Sequence, residues 1–200
     1  PGATNLITGL ATAFLDSIPV VAITGQVPKV MIGRDAFQEV DITGIAMPIT
    51  KHNFLVKDPE SLAQTLRLAF QMAKTGRPGP VLVDVPRDVQ TALVDYVEGA
   101  LPPVVEDEPV EADIAAAIAA LAKAERPVML IGGGVISADA EYDAMYLCEK
   151  MHIPVVSTLM GLGAISAYRS LFLGMTGLHG HERANNAVKE ADLILAVGTR

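Results

Sequence analysis

Cysteine is all but absent from this 200-residue chain: Cys148 stands alone, which excludes a disulfide framework within it and leaves the fold to a hydrophobic core. That thiol sits between Met145, Leu147 and Glu149 with no basic residue at its side to make a thiolate, so it is expected to be a small core residue, and the chain suits a reducing, cytoplasmic compartment. Basic residues are scarce too. The 15 Lys and Arg against 23 Asp and Glu give a formal net charge of −8, which excludes the basic stripe that a sequence-independent grip on nucleic acid requires. No apolar run approaches the roughly 18 residues of a membrane span, and Pro1-Gly2 is not the basic start of an export signal. Apolar residues are plentiful at 50%, enough to bury the core of one large domain or two small ones.

Those residues fall into alternating patterns. Leu6, Leu10 and Phe14 recur every four positions and predict a helix ended by Pro19; the apolar run Val20-Val21-Ala22-Ile23 then predicts a strand covered on both faces, stopping at Gly25. Asp58-Pro59 reads as an N-cap and first-turn proline opening a second helix, with Leu62, Leu66 and Phe70 inside and a stop at Gly76, before a buried strand from Val81 to Val85. Between Asp95 and Asp113 the rhythm breaks into seven carboxylates and three prolines with no Lys or Arg, the composition of a linker. Alternation resumes with a helix that Asp113 would cap, carrying Ile114, Ile118 and Leu121, then strands at Pro127–Ile131, Val155-Val156 and Leu193–Val197. Helices alternating with apolar strands imply two Rossmann-like, doubly wound parallel-sheet α/β domains, over 1–95 and 108–200, joined by a linker at 96–107. Because the last strand is followed by no closing helix, truncated domains and an internal piece of a longer protein are expected.

Three constellations could carry chemistry. Gly132-Gly133-Gly134 follows a strand and opens a helix, where glycines let a backbone approach a phosphate and helix amides face it; the dinucleotide fingerprint fails, however, at Val135-Ile136-Ser137, and a structural tight turn fits equally. His179-Gly180-His181 lacks a third metal ligand nearby, so His179 belongs better to a ligand loop rich in glycine, with Gly174, Gly177 and Gly180, or to an ordinary turn. Gly25-Gln26-Val27-Pro28 ends a strand, where open α/β sheets place their ligands, and Asp35-Ala36-Phe37-Gln38-Glu39 follows between Gly33 and Gly44. On residue type alone Gln38 is as well read as a surface side chain as a ligand contact.

Taken in order, Pro1-Gly2-Ala3-Thr4-Asn5, Thr24-Gly25-Gln26-Val27-Pro28, Ile32-Gly33-Arg34-Asp35-Ala36-Phe37-Gln38-Glu39, Thr50-Lys51-His52-Asn53, Gly76-Arg77-Pro78-Gly79-Pro80 and Val85-Pro86-Arg87-Asp88-Val89 resemble the catalytic subunits of the acetolactate synthase (acetohydroxyacid synthase) family. The likeness continues through Gly132-Gly133-Gly134, Thr158-Leu159-Met160, Gly177-Leu178-His179-Gly180 and Ala191–Arg200, so it spans the chain. The resemblance implies a thiamine diphosphate enzyme that decarboxylates pyruvate and joins the remainder to a second 2-oxo acid, pyruvate or 2-oxobutyrate, at the start of branched-chain amino-acid synthesis. FAD and Mg2+ are implied as further cofactors, and a homodimer or tetramer with a small regulatory subunit as the assembly. Nucleic acid and membrane partners are not.

By the same resemblance, residues 1–95 would be most of the thiamine (pyrimidine) domain and 108–200 the start of the central FAD domain. Asn5 would lie by the thiamine pyrimidine, and Phe37 and Gln38 by its reactive carbon. Val27, Pro28 and Arg87 would line the substrate channel. Arg77 would reach the FAD, with Gly132, Gly133, Gly134, Thr158, Leu159, Met160, Thr176, Gly177, Leu178, His179, Gly180, Gly198, Thr199 and Arg200. The sequence departs mildly from the family's pattern at Arg34, Arg87, Thr176–His179 and Thr199, which leaves inhibitor sensitivity open. The family's activating glutamate would precede Pro1 and its magnesium-holding segment would follow Arg200, so these 200 residues alone are expected to be inactive. Alternatives are another thiamine enzyme, such as glyoxylate carboligase or sulfoacetaldehyde acetyltransferase, or a noncatalytic nucleotide-binding module.

Overall fold

A computed structural model describes residues 1–96, 98–104 and 108–200. The chain divides into two compact units, Pro1–Asp107 and Glu108–Arg200. Both are α/β with purely parallel sheets.

The first unit runs α1 (Ile7–Asp16), β1 (Val21–Gln26), α2 (Ile42–Ala46), β2 (His52–Leu55), α3 (Leu62–Lys74), β3 (Val81–Pro86) and α4 (Arg87–Gln90). Its sheet has the order β1-β3-β2. Every residue of β3 is buried, as a central parallel strand with helices on both faces requires. Strand β1 departs from expectation: it is not covered on both faces, and Ile23 remains 59% exposed. Helix α1 also differs. Ile7 and Leu10 pack inward with Ala3, while Leu6 is exposed; left-handed Ser17 (φ 59°) ends the helix, ahead of Pro19. Asp58 caps the short turn Pro59–Ser61 that leads into α3, accepting from the Glu60 amide at 3.2 Å. Within α3, Leu62, Leu66, Ala69 and Ala73 form the inner stripe, whereas Phe70, expected inside, is exposed.

The stretch expected to be a linker is partly laid on this unit. Gln64 Nε2 donates to the Ala100 carbonyl (3.1 Å), Gln71 Nε2 to that of Pro102 (2.7 Å), and Arg67 lies 5.3 Å from the centroid of the Tyr96 ring. Residues 97 and 105–107 of that linker lie outside the described residues.

The second unit runs α5 (Glu111–Leu121), β4 (Pro127–Ile131), α6 (Gly133–Ser137), α7 (Glu141–Met151), β5 (Val155–Ser157), β6 (Phe172–Met175), α8 (Glu182–Glu190) and β7 (Leu193–Val197). Strand order β6-β5-β4-β7 steps outward from β4 to one side and then reverses to the other, the doubly wound arrangement. Asp113 does not cap α5, which begins at Glu111; Asp113 sits inside the first turn, where a carboxylate still complements the helix dipole. Ile114 and Ile118 stay exposed, and Leu121 alone of that predicted face is buried. Cys148 is buried as expected, and burial pushes its thiol up, which disfavours the thiolate.

Candidate active site

In the first unit, the carboxyl ends of β1 and β3 and the chain after β1 border a cleft of about 710 Å³. In a parallel sheet, strand carboxyl ends are where loops can diverge and leave room for a ligand. Val27 and Pro28 line it from the end of β1, Phe37 and Gln38 from the following loop, and Arg87 from the start of α4. Thus five residues singled out from the sequence meet at one place. Arg87 is the one charged side chain among the described residues that line it, and the lining is otherwise mixed, with Thr24, Gln26 and Gln38 among apolar side chains such as Ile23, Val27 and Phe37.

The loop that delivers Phe37 and Gln38 is built by Glu39. Its carboxylate accepts the amides of Gly33, Ala36 (2.8 Å) and Arg34 (3.3 Å), and these amides, Ala36 and Gly33 foremost, hold its acidity stronger than an ordinary glutamic acid. The tight turn puts Asp35 (φ 54°) and Gln38 (φ 66°) in the left-handed region, an unfavourable conformation for a side chain without local compensation. Phe37 projects with 89% of its surface exposed. Sequence reasoning had no separate signal for Glu39; only its place in the motif pointed there.

Gln26 was legible only within the Gly25-Gln26-Val27-Pro28 motif, with no role of its own. Its Nε2 donates to the Val40 carbonyl (2.8 Å) and to Asp84 Oδ2 (3.0 Å), while its Oε1 accepts the Val27 amide (2.9 Å). Asp84 Oδ1 accepts the Thr24 hydroxyl (2.8 Å). Burial is the main influence on Asp84 and raises its pKa, opposed by these hydrogen bonds.

Asn5 and Arg77 are not brought to the cleft wall. The Asn5 amide donates to the Gly2 carbonyl (3.2 Å), although Gly2, Ala3 and Leu6 beside it do line the cleft. Arg77 donates through Nε to Ser17 Oγ (2.8 Å) and through Nη2 to the Phe14 carbonyl (3.2 Å), so it caps the carboxyl end of α1. Those contacts precede β1 and β3 in the chain and so lie toward the amino ends of these parallel strands, away from the cleft.

In the second unit, Gly132–Gly134, Thr158–Met160, Thr176–Gly180 and Gly198–Arg200 follow β4, β5, β6 and β7 respectively, and therefore gather at one edge of a single parallel sheet. Where β4 meets β7 the glycines serve close backbone approach. A Cβ at Gly132 would come within 2.2 Å of the Gly198 carbonyl oxygen, and the Gly134 amide donates to that oxygen (2.9 Å). That amide is therefore turned to β7. The Thr176–Gly180 loop is clamped by Asn185 of α8: Oδ1 accepts from the Thr176 hydroxyl and the Gly177 amide, both at 2.8 Å, and Nδ2 donates to the Gly177 carbonyl (3.0 Å). Leu159, Met160 and Leu178 are exposed apolar side chains on these loops, and the buried Ser157 hydroxyl, at the end of β5, has no hydrogen-bond partner among the described residues. Among the described residues no three His, Cys, Asp or Glu converge as a metal site, and no helix is long and apolar enough to cross a membrane.

Comparison with known proteins decides the family. The N-terminal TPP binding domain of thiamine pyrophosphate enzymes matches residues 1–45, and the central domain of the same enzymes matches residues 114–200. The chain belongs to the thiamine pyrophosphate enzyme family. Over its whole length it is 49% identical to a probable acetolactate synthase large subunit of Methanocaldococcus jannaschii, 50% to the acetolactate synthase isozyme 1 large subunit of Escherichia coli and 48% to the acetolactate synthase large subunit of Corynebacterium glutamicum. It spans 35%, 36% and 33% of those relatives, so it corresponds to about a third of such a subunit. The described units fit a family of parallel α/β domains.

Proposed function

We propose that the protein to which this chain belongs is an acetolactate synthase large subunit: a thiamine diphosphate enzyme that decarboxylates pyruvate and transfers the two-carbon unit to pyruvate or 2-oxobutyrate. The observation that carries the reading is the cleft, where Val27, Pro28, Phe37, Gln38 and Arg87 converge in a chain of this family. Thiamine diphosphate, when bound, supplies the carbon nucleophile for such chemistry. Everything else asked of this chain is binding and orientation. Arg87 offers the carboxylate of a 2-oxo acid a charged donor fork, the Phe37 ring excludes water, and the Gln38 amide can donate to a substrate oxygen without adding charge. Asn5, beside the cleft-lining Gly2 and Ala3, would face the pyrimidine of the cofactor once its local hydrogen bond to the Gly2 carbonyl yields.

FAD fits the second unit. Four loops at strand carboxyl ends, glycines that admit close backbone approach, uncovered Leu159 and Leu178, and the unpartnered Ser157 hydroxyl together suit a flat, partly apolar dinucleotide. Arg77 is assigned to the flavin by family resemblance. Magnesium is assigned no residue in this chain, and assembly as a dimer or tetramer with a small regulatory subunit belongs to the same proposal, as does a cytoplasmic location. The test is acetolactate formation from pyruvate by the full-length protein with thiamine diphosphate, magnesium and FAD. Accumulation of tartronate semialdehyde from glyoxylate, or acetyl phosphate from sulfoacetaldehyde, without acetolactate would transfer the protein to another thiamine enzyme.

A further inference from the structure

Gln26 borders the cleft, yet its side chain has no N–H left to donate to a ligand. Both N–H groups of the amide are engaged, with Val40 and Asp84, and its carbonyl oxygen accepts the Val27 amide. Two of these partners are backbone groups next to the walls that bear the site: Val27 adjoins Pro28, and Val40 lies two residues beyond Gln38. The third is a carboxylate on the fully buried central strand, itself 1% exposed and engaged at both oxygens. Among the described residues no Lys, Arg or His forms an ion pair with Asp84, and burying a carboxylate without a cation is costly. An apolar residue would fill that strand position at less cost, so stability alone does not account for the network.

We propose that Asp84 and Gln26 are positioning residues of the cleft: Asp84 holds the Gln26 amide, and Gln26 holds the Val27 and Val40 backbones, so that the walls bearing Pro28 and Gln38 face each other at a fixed separation. The inference rests on the reading of the cleft as the substrate site. Neither residue touches the substrate. Both act through the loops that do, and a misplacement of about 1 Å in such a wall is enough to cost roughly 100-fold in rate.

The test uses the full-length enzyme and three substitutions. Gln26→Met keeps length and volume but no amide; Asp84→Leu keeps the branched shape without oxygens; Asp84→Asn can still accept from Gln26 and donate to the Thr24 hydroxyl, which can rotate to accept. The first two should lower kcat/KM for pyruvate by about 10–100-fold, chiefly in kcat, and the double variant should lose no more than the worse single one, because both cut one link. Asp84→Asn should recover most of the activity. A purely structural role would instead lower the melting temperature and leave kcat/KM per folded, cofactor-loaded enzyme at the parent value, and that result overturns the proposal. Should Asp84→Leu fail to fold, the pair Gln26→Met and Asp84→Asn with their double variant carries the same test. Gln38→Ala and Arg87→Ala, assayed alongside, separate the two levels. If they lose activity while Gln26→Met does not, the positioning role alone is refuted; if they match the parent, the cleft reading fails and takes this proposal with it.

Discussion

Gln38 shows what a single residue owes to its turn. Its left-handed backbone is sustained by the Glu39 carboxylate, which gathers three amides of the preceding chain. Replacing Gln38 by Ala in the full-length enzyme should lower kcat/KM by roughly 10–100-fold, the loss of one or two oriented hydrogen bonds in the transition state, and steady-state kinetics with pyruvate check it. Glu39 gives a pH signature. Because its folded pKa lies below the ordinary value, the order it lends is complete above that value and is lost as pH falls through the lower, folded one. The Gly33 and Ala36 amide resonances should therefore titrate together with a midpoint below the roughly 4.3 of a free glutamate, and Glu39→Gln should abolish the titration. Phe37 and Gln38 were legible as part of a motif. The roles of Glu39 and Gln26 were not, because a polar residue in a loop announces neither which amide it will meet nor how many.

Elements were legible where burial is symmetrical and misjudged where it is not. The fully covered β3 and the largely covered β4 stand where continuous apolar runs put them, as strands packed on both faces do, and β7 stands where its run put it although alternate residues of this edge strand are exposed. Leu6, Phe70, Ile23, Ile114 and Ile118 were assigned to interiors and are exposed, because periodicity marks an apolar face without showing whether anything covers it. Thr50-Lys51-His52-Asn53, informative for kinship, turns out to tie elements together: Lys51 Nζ caps α3 through the Met72 and Thr75 carbonyls, and the Thr50 hydroxyl donates to the Ala46 carbonyl (2.8 Å). The glycine run has a packing role at the β4–β7 crossing whatever its ligand. Gly132→Ala should cost about 1–3 kcal/mol or more by forcing β4 from β7 at Gly198, whereas Gly2→Ala, with open space for its Cβ, should cost well under that range; chemical denaturation of both variants makes the comparison.

At the scale of the whole molecule the order of many short motifs carried more than any one of them: each glycine run had a structural reading as good as a functional one, and only their sequence along the chain pointed to a thiamine enzyme. Arg77 is where that inference and the local geometry pull apart. The guanidinium already caps α1, through Phe14 and Ser17, and lies 5.9 Å from the centroid of the Phe14 ring, so its removal must loosen that helix end by roughly 1 kcal/mol or less. The family resemblance asks more of it, a charge-assisted hydrogen bond to FAD worth about 1.5–3 kcal/mol, which corresponds to a rise in Kd of about tenfold to hundredfold. Ligand linkage separates the two effects, because a group that acts only as a cap shifts the melting temperature equally with and without flavin, while a flavin contact also shrinks the stabilisation that FAD confers at a given concentration. Arg77→Ala in the full-length enzyme is expected to do both: lower the melting temperature of the flavin-free protein slightly and weaken FAD in a direct titration. A variant that melts lower but binds FAD with the parent affinity would leave Arg77 as the cap of α1 and nothing more.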